Sequence, residues 1–208
     1  MPYYNVDCME GMGWYEDNHF DLAIVDPPYG IGVKFKGGKT GKMNFNEVVN
    51  KDWDIVPDEK YFNELFRISI NQVIFGFNYF SLPPTRCFIV WDKLISENFS
   101  LAMAELIWTS FDSLAKIKRL PTPKNGNKTH PTQKPIKLYR WLLKNYAKQG
   151  DLILDTHVGS ASSLIACEME GFDYVGFELD KDYYNDSCER LLKHREKLNQ
   201  VELFSGRN

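Results

Sequence analysis

A chain of 208 residues that is 43% hydrophobic and 14% aromatic can bury a substantial core without staples, and it is too apolar for intrinsic disorder. Its four cysteines (Cys8, Cys87, Cys167, Cys188) form no C-x-x-C pair and its four histidines are scattered, so neither a metal site nor a disulfide framework is expected. No apolar run approaches the ~18 residues of a membrane span, no signal-peptide pattern opens the chain, and a net charge of −3 excludes a uniformly basic nucleic-acid binder; the expectation is a cytoplasmic protein, monomeric or homodimeric, of one domain over 1–208.

Taken in order, Tyr3 to Asp7 reads as a short strand and Met9 to Asp17 as a helix. Phe20 to Asp26 is an apolar run ending in a carboxylate, two prolines and an aromatic ring, Asp26-Pro27-Pro28-Tyr29, and it reads as a buried strand with a stiff turn at its carboxyl end. Residues 30–56 are rich in Gly, Lys and Asn and read as a long mobile loop. Pro57 to Ile68 follows as a helix, with Pro57 in its first turn and Asp58 and Glu59 favourable to its dipole. Gln72 to Phe77, Arg86 to Trp91 and Glu105 to Thr109 read as strands, and Leu120 to Thr132 as a loop holding Pro121, Pro123 and Pro131. The remainder alternates: helix Pro135 to Lys148 closed by Gly150, strand Leu152 to Asp155, helix Ala161 to Glu170, strand Tyr174 to Glu178 and helix Lys181 to Asn199, with a fraying end. Alternating strands and helices predict an α/β fold, a mainly parallel sheet with helices on both faces.

Three strand ends carry chemistry. In open α/β sheets ligands bind beyond the carboxyl ends of the strands. A carboxylate at Asp26 and the Pro27 carbonyl can accept both hydrogens of an exocyclic amine, while Tyr29 stacks on the ring that bears it; Phe35 or Phe77 is placed to close the other side. Asp155-Thr-His-Val-Gly-Ser-Ala-Ser162 is a strand end, a small-residue turn and a helix start, where backbone N–H groups face a polar ligand. Asp155 there can accept from an ammonium. Glu178 ends the next strand, 23 residues on, where a carboxylate takes both hydroxyls of a ribose. Nicotinamide binding is disfavoured by the lack of G-x-G-x-x-G.

Asp26-Pro27-Pro28-Tyr29 resembles the catalytic tetrapeptide of the amino-methylating DNA methyltransferases. Asp155 to Ala161 resembles their S-adenosylmethionine loop, usually Asp-Pro-Phe-x-Gly-Ser-Gly, departing from it at Thr156, His157 and Ala161. His130-Pro131-Thr132-Gln133-Lys134-Pro135 resembles an element that meets the methionine end of the cofactor. The tetrapeptide precedes the cofactor loop by more than a hundred residues, the permuted order of the beta group. This resemblance implies a Rossmann-like methyltransferase fold, S-adenosylmethionine as cofactor and duplex DNA as partner. Asp26, Pro27, Pro28 and Tyr29 become catalytic; Asp7, Cys8, Lys134, Asp155, His157, Gly159, Ser160, Ala161 and Glu178 become cofactor-binding, with Lys134 on the methionine carboxylate and Asp7 on the adenine amine. Asp7 could equally cap the following helix. An Asp-led tetrapeptide favours adenine N6; cytosine N4, an RNA target or a silent cofactor-binding regulator are the alternatives.

Charge distribution supports the DNA partner. Between Ser113 and Gly150 stand ten of the 25 Lys and Arg and none of the 28 Asp and Glu, a positive face on an acidic body. Lys34, Lys36, Lys39 and Lys42 add a second patch. Lys34, Lys36, Lys39, Lys118, Arg119 and Lys124 are expected to meet DNA from loops, whereas Lys137, Arg140, Lys144 and Lys148 have the spacing of a solvated helix face. Residues 91–128 are the expected target-recognition region.

Overall fold

The computed structural model describes residues 1–31, 39–40, 43–44, 54–98, 102–122 and 133–205, with backbone alone at 39–40, 43–44, 199 and 201–205. Its elements are β1 (Tyr3–Asn5), α1 (Cys8–Met12), β2 (Phe20–Val25), β3 (Lys39–Thr40), β4 (Met43–Asn44), α2 (Glu59–Ile68), β5 (Ser69–Phe75), β6 (Phe88–Asp92), β7 (Ala104–Thr109), β8 (Lys116–Arg119), α3 (Ile136–Tyr146), β9 (Leu152–Asp155), α4 (Ser162–Glu170), β10 (Asp173–Glu178) and α5 (Lys181–Ser205). Eight strands form one sheet in the order β1-β10-β9-β2-β5-β7-β6-β8. The neighbours from β1 to β5 are all parallel; β7 then runs antiparallel to both β5 and β6.

Period-two alternation along the central strands divides the core. Leu22, Ile24, Val73, Phe75 and Ile153 pack on one face against α3, α4 and Leu191 of α5. Ala23, Val25, Ile74 and Leu154 pack on the other against Met12 of α1 and Tyr61, Phe62, Leu65 and Ile68 of α2. The strands are apolar on both sides because both sides are covered. This is the Rossmann-like arrangement expected. The chain steps outward from β2 to β5 in one direction and from β9 to β10 in the other, with the first strand, β1, completing that edge. The order therefore reverses between β2 and β9, the place where such sheets open a ligand crevice.

Several boundaries differ from the sequence reading. Helix α1 stops at Met12, where the Gly13 N–H donates to the Met9 carbonyl and the Trp14 N–H to the Gly11 carbonyl. Strand β5 begins at Ser69 directly after α2, whose last turn is tied by Ser69 Oγ donating to the Leu65 carbonyl at 2.5 Å. Residues 116–119, expected in a loop, form edge strand β8, parallel to β6. Helix α5 continues to Ser205.

Candidate active site

Strand β2 delivers Asp26 to the reversal point beside β9. The Tyr29 hydroxyl returns across the turn to donate to Asp26 Oδ1 at 2.6 Å. The Tyr29 ring lies against Tyr79, centroids 5.0 Å apart and 16° between planes. Tyr79 is thus the ring stacked on Tyr29, while Phe77 packs edge-on to Phe88. Gly76 makes this possible. It takes φ +70°, and a Cβ there would stand 2.3 Å from the Tyr29 ring, inside any tolerable contact. Lys134 closes the turn from the far side, its ammonium 2.7 Å from Asp26 Oδ2 and 3.3 Å from the Tyr29 hydroxyl. Its third neighbour is Glu105 Oε2 at 3.2 Å. Lys134, expected at a cofactor carboxylate, is instead directed at two carboxylates of the protein itself. Burial raises the Asp26 pKa, and Lys134 opposes that rise.

The cofactor half is built on the neighbouring strand ends. Asp155 is buried. Its Oδ2 accepts from the Ser163 hydroxyl and its Oδ1 from the His157 N–H at 3.0 Å. It therefore braces the loop from beneath, with both oxygens held by the loop and the following helix. Burial pushes its carboxyl up to about 7, against those two hydrogen bonds. Glu178 stays half-exposed on the wall. Its Oε2 accepts from the Gly159 N–H at 2.8 Å and its Oε1 from the Asp180 N–H at 2.9 Å, leaving lone pairs toward the cavity. Of the loop's N–H groups, those of His157, Gly159 and Ala161 are already held by Asp155, Glu178 and the Val158 carbonyl.

The departures from the usual loop sequence have local partners. Ala161 takes φ +58° where a glycine is usual, a conformation costing roughly 1–2 kcal/mol for an L-residue. Arg190 of α5 holds the turn by donating to the Ser160 carbonyl and, at 3.0 Å, to Ser162 Oγ. Thr156 Oγ1 sits 2.6 Å from the Tyr61 hydroxyl and 2.9 Å from His157 Nδ1. His157 Nε2 is 3.9 Å from Cys8 Sγ. Burial drives the imidazole down to about 4 and the Cys8 thiol up to about 12, so both are neutral near pH 7. Asp7 does cap α1, its Oδ1 accepting from the Met9 N–H at 2.8 Å, and it also lines the cavity.

Both halves open into a single cavity of about 1370 Å³. Asp7, Cys8, His157, Gly159, Ser160 and Glu178 form one end; Asp26 to Tyr29, Tyr79, Lys93, Glu105 and Lys134 form the other. One small ligand typically fills about 300–1,000 Å³, so this volume suits two ligands lying end to end.

The basic residues divide. Lys118 and Lys116 point to the α3 side of β8, with ammonium groups 5.3 and 5.9 Å from the Trp141 ring centroid. Arg119 points the other way, 66% exposed and 3.4 Å from Asp92. Lys34, Lys36, Lys42, Lys124, Lys128, Phe35 and Thr132 lie outside the described residues, as does the Lys39 side chain. Glu105, Tyr61, Tyr79 and Arg190 were missed in the sequence. Only Glu105 left a signal, as the single acidic residue in the apolar strand Ala104–Thr109.

A mostly parallel sheet with a carboxylate-led Pro-Pro-Tyr turn and a small-residue loop on one cavity defines an amino-methyltransferase. The sequence profile of the DNA methylase family matches residues 49–189, and the chain belongs to that family, in its beta group of N6-adenine and N4-cytosine enzymes. Among its relatives is the type II methyltransferase M.HinfI of Haemophilus influenzae, 29% identical over 257 residues, covering 96% of this chain and 70% of the relative. The fold is shared with the M1.HpyAVI–SAM complex, at a TM-score of 0.60 and 17% identity over 91% of this chain and 98% of that one. PvuII DNA methyltransferase, a cytosine-N4-specific enzyme, superposes at a TM-score of 0.59 with 14% identity over 89% and 84% of the two chains.

Proposed function

We infer that this protein methylates adenine N6 in duplex DNA, taking the methyl group from S-adenosylmethionine onto a base flipped out of the stack. The observation that carries this reading is the continuous cavity running from Glu178 and Asp7 at one end to Asp26 and Tyr29 at the other. An amine buried in a duplex cannot reach Asp26 unless the base leaves the helix.

The residues fit the cofactor. Carboxylates stand just beyond the carboxyl ends of β1 and at the end of β10, where Asn5 and Glu178 share a register position. They are acceptors for an adenine amine (Asp7) and for ribose hydroxyls (Glu178), while Gly159 and Ser160 give close backbone approach. When bound, the cofactor supplies an electrophilic methyl on a sulfonium. The protein's part is orientation. Asp26 and the Pro27 carbonyl accept the two amine hydrogens, which directs the nitrogen lone pair at the methyl. The Tyr29 ring supports the base from one face, and the surrounding burial fixes these dipoles before reaction. Exposed Arg119 is the phosphate contact among the described residues, and the lysines of 34–42 and 124, outside them, are the further contacts of this reading; Lys118 is packed on Trp141.

The experiment is labelled-methyl transfer to unmodified duplex DNA, followed by nucleoside digestion. N6-methyladenine is expected. N4-methylcytosine would overturn the adenine assignment while keeping the chemistry. Binding of the cofactor without transfer to DNA or RNA would make the protein a regulator.

A further inference from the structure

The wall of the catalytic end contains a row of charges that methyl transfer, as described, does not use. Lys93, Glu105, Lys134 and Asp26 alternate in sign, with contacts of 2.6, 3.2 and 2.7 Å between successive members. They come from four separate places in the chain: the end of β6, the start of β7, the approach to α3 and the end of β2. Lys134 is 5% exposed, and Glu105 and Asp26 are 19% and 15% exposed. Well-packed apolar residues usually replace such buried pairs at no loss of stability, so stability alone does not account for the row.

The geometry limits what Lys134 can do. An ammonium has three donors, and three acceptors surround it: Asp26 Oδ2, the Tyr29 hydroxyl and Glu105 Oε2. Glu105 Oε2 meets the ammonium as an ion pair only and has no hydrogen-bond partner among the described residues. Two Lys134 hydrogens are thus held by Asp26 and Tyr29, and the remaining charge faces Glu105. Asp26 is held at both oxygens, Oδ2 by Lys134 and Oδ1 by Tyr29. These two holds differ in kind. The Lys134 hold is anchored behind by Glu105, which is anchored in turn by Lys93. The Tyr29 hold is a single hydroxyl on the ring that must receive the base.

We propose that Lys134 and Glu105 are positioning residues for methyl transfer: Glu105 fixes Lys134, Lys134 clamps Asp26 Oδ2, and Oδ1 is thereby left as the acceptor that exchanges the Tyr29 hydroxyl for the amine of the incoming base. This rests on the amino-methyltransferase reading of the same site. The clamp also favours the Asp26 carboxylate against the burial that disfavours it. The groups facing it are Lys134, Glu105 and Tyr29, with Tyr61, Tyr139 and Asp155 from α2, α3 and β9. Among these Lys134 is the sole cation, and it favours the charged form; Glu105 opposes it.

That opposition supplies a test. Wild type, Lys134→Met and Glu105→Gln are compared for cofactor affinity by calorimetry and for methylation of unmodified genomic DNA across about pH 5–9. Lys134→Met should bind S-adenosylmethionine as wild type does, lose kcat on the order of 100-fold, and move the acid limb of the rate up by about 1 pH unit or more. Glu105→Gln should lower kcat and move the acid limb down, because a charge that disfavours the Asp26 carboxylate is gone. Lys134→Arg should keep the wild-type acid limb. Opposite movements by two neighbours are not produced by a general loosening of the fold. If Lys134→Met does not fold, the near-isosteric Glu105→Gln decides by the direction of its limb alone. Loss of cofactor affinity in Lys134→Met with kcat retained at saturation would overturn the proposal and return Lys134 to the cofactor. Unmoved pH profiles in an active enzyme would overturn it too. A wild type that methylates no DNA would overturn the transferase reading and this proposal together, whereas N4-methylcytosine as product would leave the clamp standing.

Discussion

The Tyr61 hydroxyl and Thr156 Oγ1 lie 2.6 Å apart, both residues 2% exposed, and this contact joins α2 to the loop after β9. Thr156 also reaches His157, which reaches Cys8 at the start of α1. Two of the loop's three unusual residues, Thr156 and His157, thus tie it to both helices on that face of the sheet.

Removing this tie should loosen the cofactor end. Tyr61→Phe deletes one hydroxyl while keeping the ring, and Thr156 retains His157 as a partner. Stability should fall by about 1 kcal/mol, the usual net value of one buried hydrogen bond, with a parallel weakening of S-adenosylmethionine binding. Urea unfolding and calorimetry measure the two; unchanged cofactor affinity would confine Tyr61 to the core.

Asp26→Ala should abolish methylation and spare cofactor binding, because Asp26 faces the base end of the cavity and its partners are Tyr29 and Lys134. The lost carboxylate leaves the Lys134 ammonium with Glu105 as its remaining carboxylate, so stability should be checked by thermal melting alongside. Turnover comparable to wild type in a labelled-methyl assay would remove Asp26 from catalysis.

Gly76 should tolerate no side chain. Gly76→Ala must strain a φ of +70° and push a methyl into the Tyr29 ring. Displacing a positioned group by an ångström costs on the order of 100-fold in rate, so kcat should fall by about that much while cofactor affinity holds. A kcat near wild type would show that the Tyr29 ring is free to move.

His157 makes a pH prediction with a definite sign. Its folded pKa of about 4 lies below the ordinary 6.5, so between these values the unfolded chain binds the extra proton. This contribution to stability is complete above about pH 6.5 and is lost as the pH falls toward 4, by about 1–3 kcal/mol. Asp155, raised to about 7, has the opposite slope over about pH 4–7 and masks it in the wild type. In His157→Gln the compensation disappears, and stability should decline more steeply with rising pH from 4 to 6.5 than in wild type. Denaturant unfolding at several pH values reads the difference, and parallel curves would show that His157 titrates normally.

Arg119 and Lys118 should separate in DNA binding. Arg119→Gln removes an exposed charge, weakening all duplexes alike and flattening log K against log salt by about 0.9 per lost phosphate contact. Lys118→Gln removes a cation over Trp141 and should act on thermal stability more than on the salt slope. Equal slopes for Arg119→Gln and wild type would leave Arg119 as solvated surface, and an altered methylation site would place it at base edges.

The sequence alone determined the elements whose signals are local. The run into Asp26, the strand–turn–helix at Asp155 to Ser162 and the βαβ spacing to Glu178 are legible because alternation, turn residues and strand-end carboxylates are read within a few neighbours. They sufficed for a mainly parallel fold and for both ends of one cavity. Tertiary structure decided which groups meet. Lys134 reaches Asp26 across 108 residues, and Glu105 reaches Lys134 only because β7 turns antiparallel beside β5. Asp155 went to the loop and Lys118 to Trp141 for the same reason. A side chain's nearest opposite charge or ring is chosen by sheet order, and sheet order is set by packing on both faces of the sheet, which no local pattern encodes.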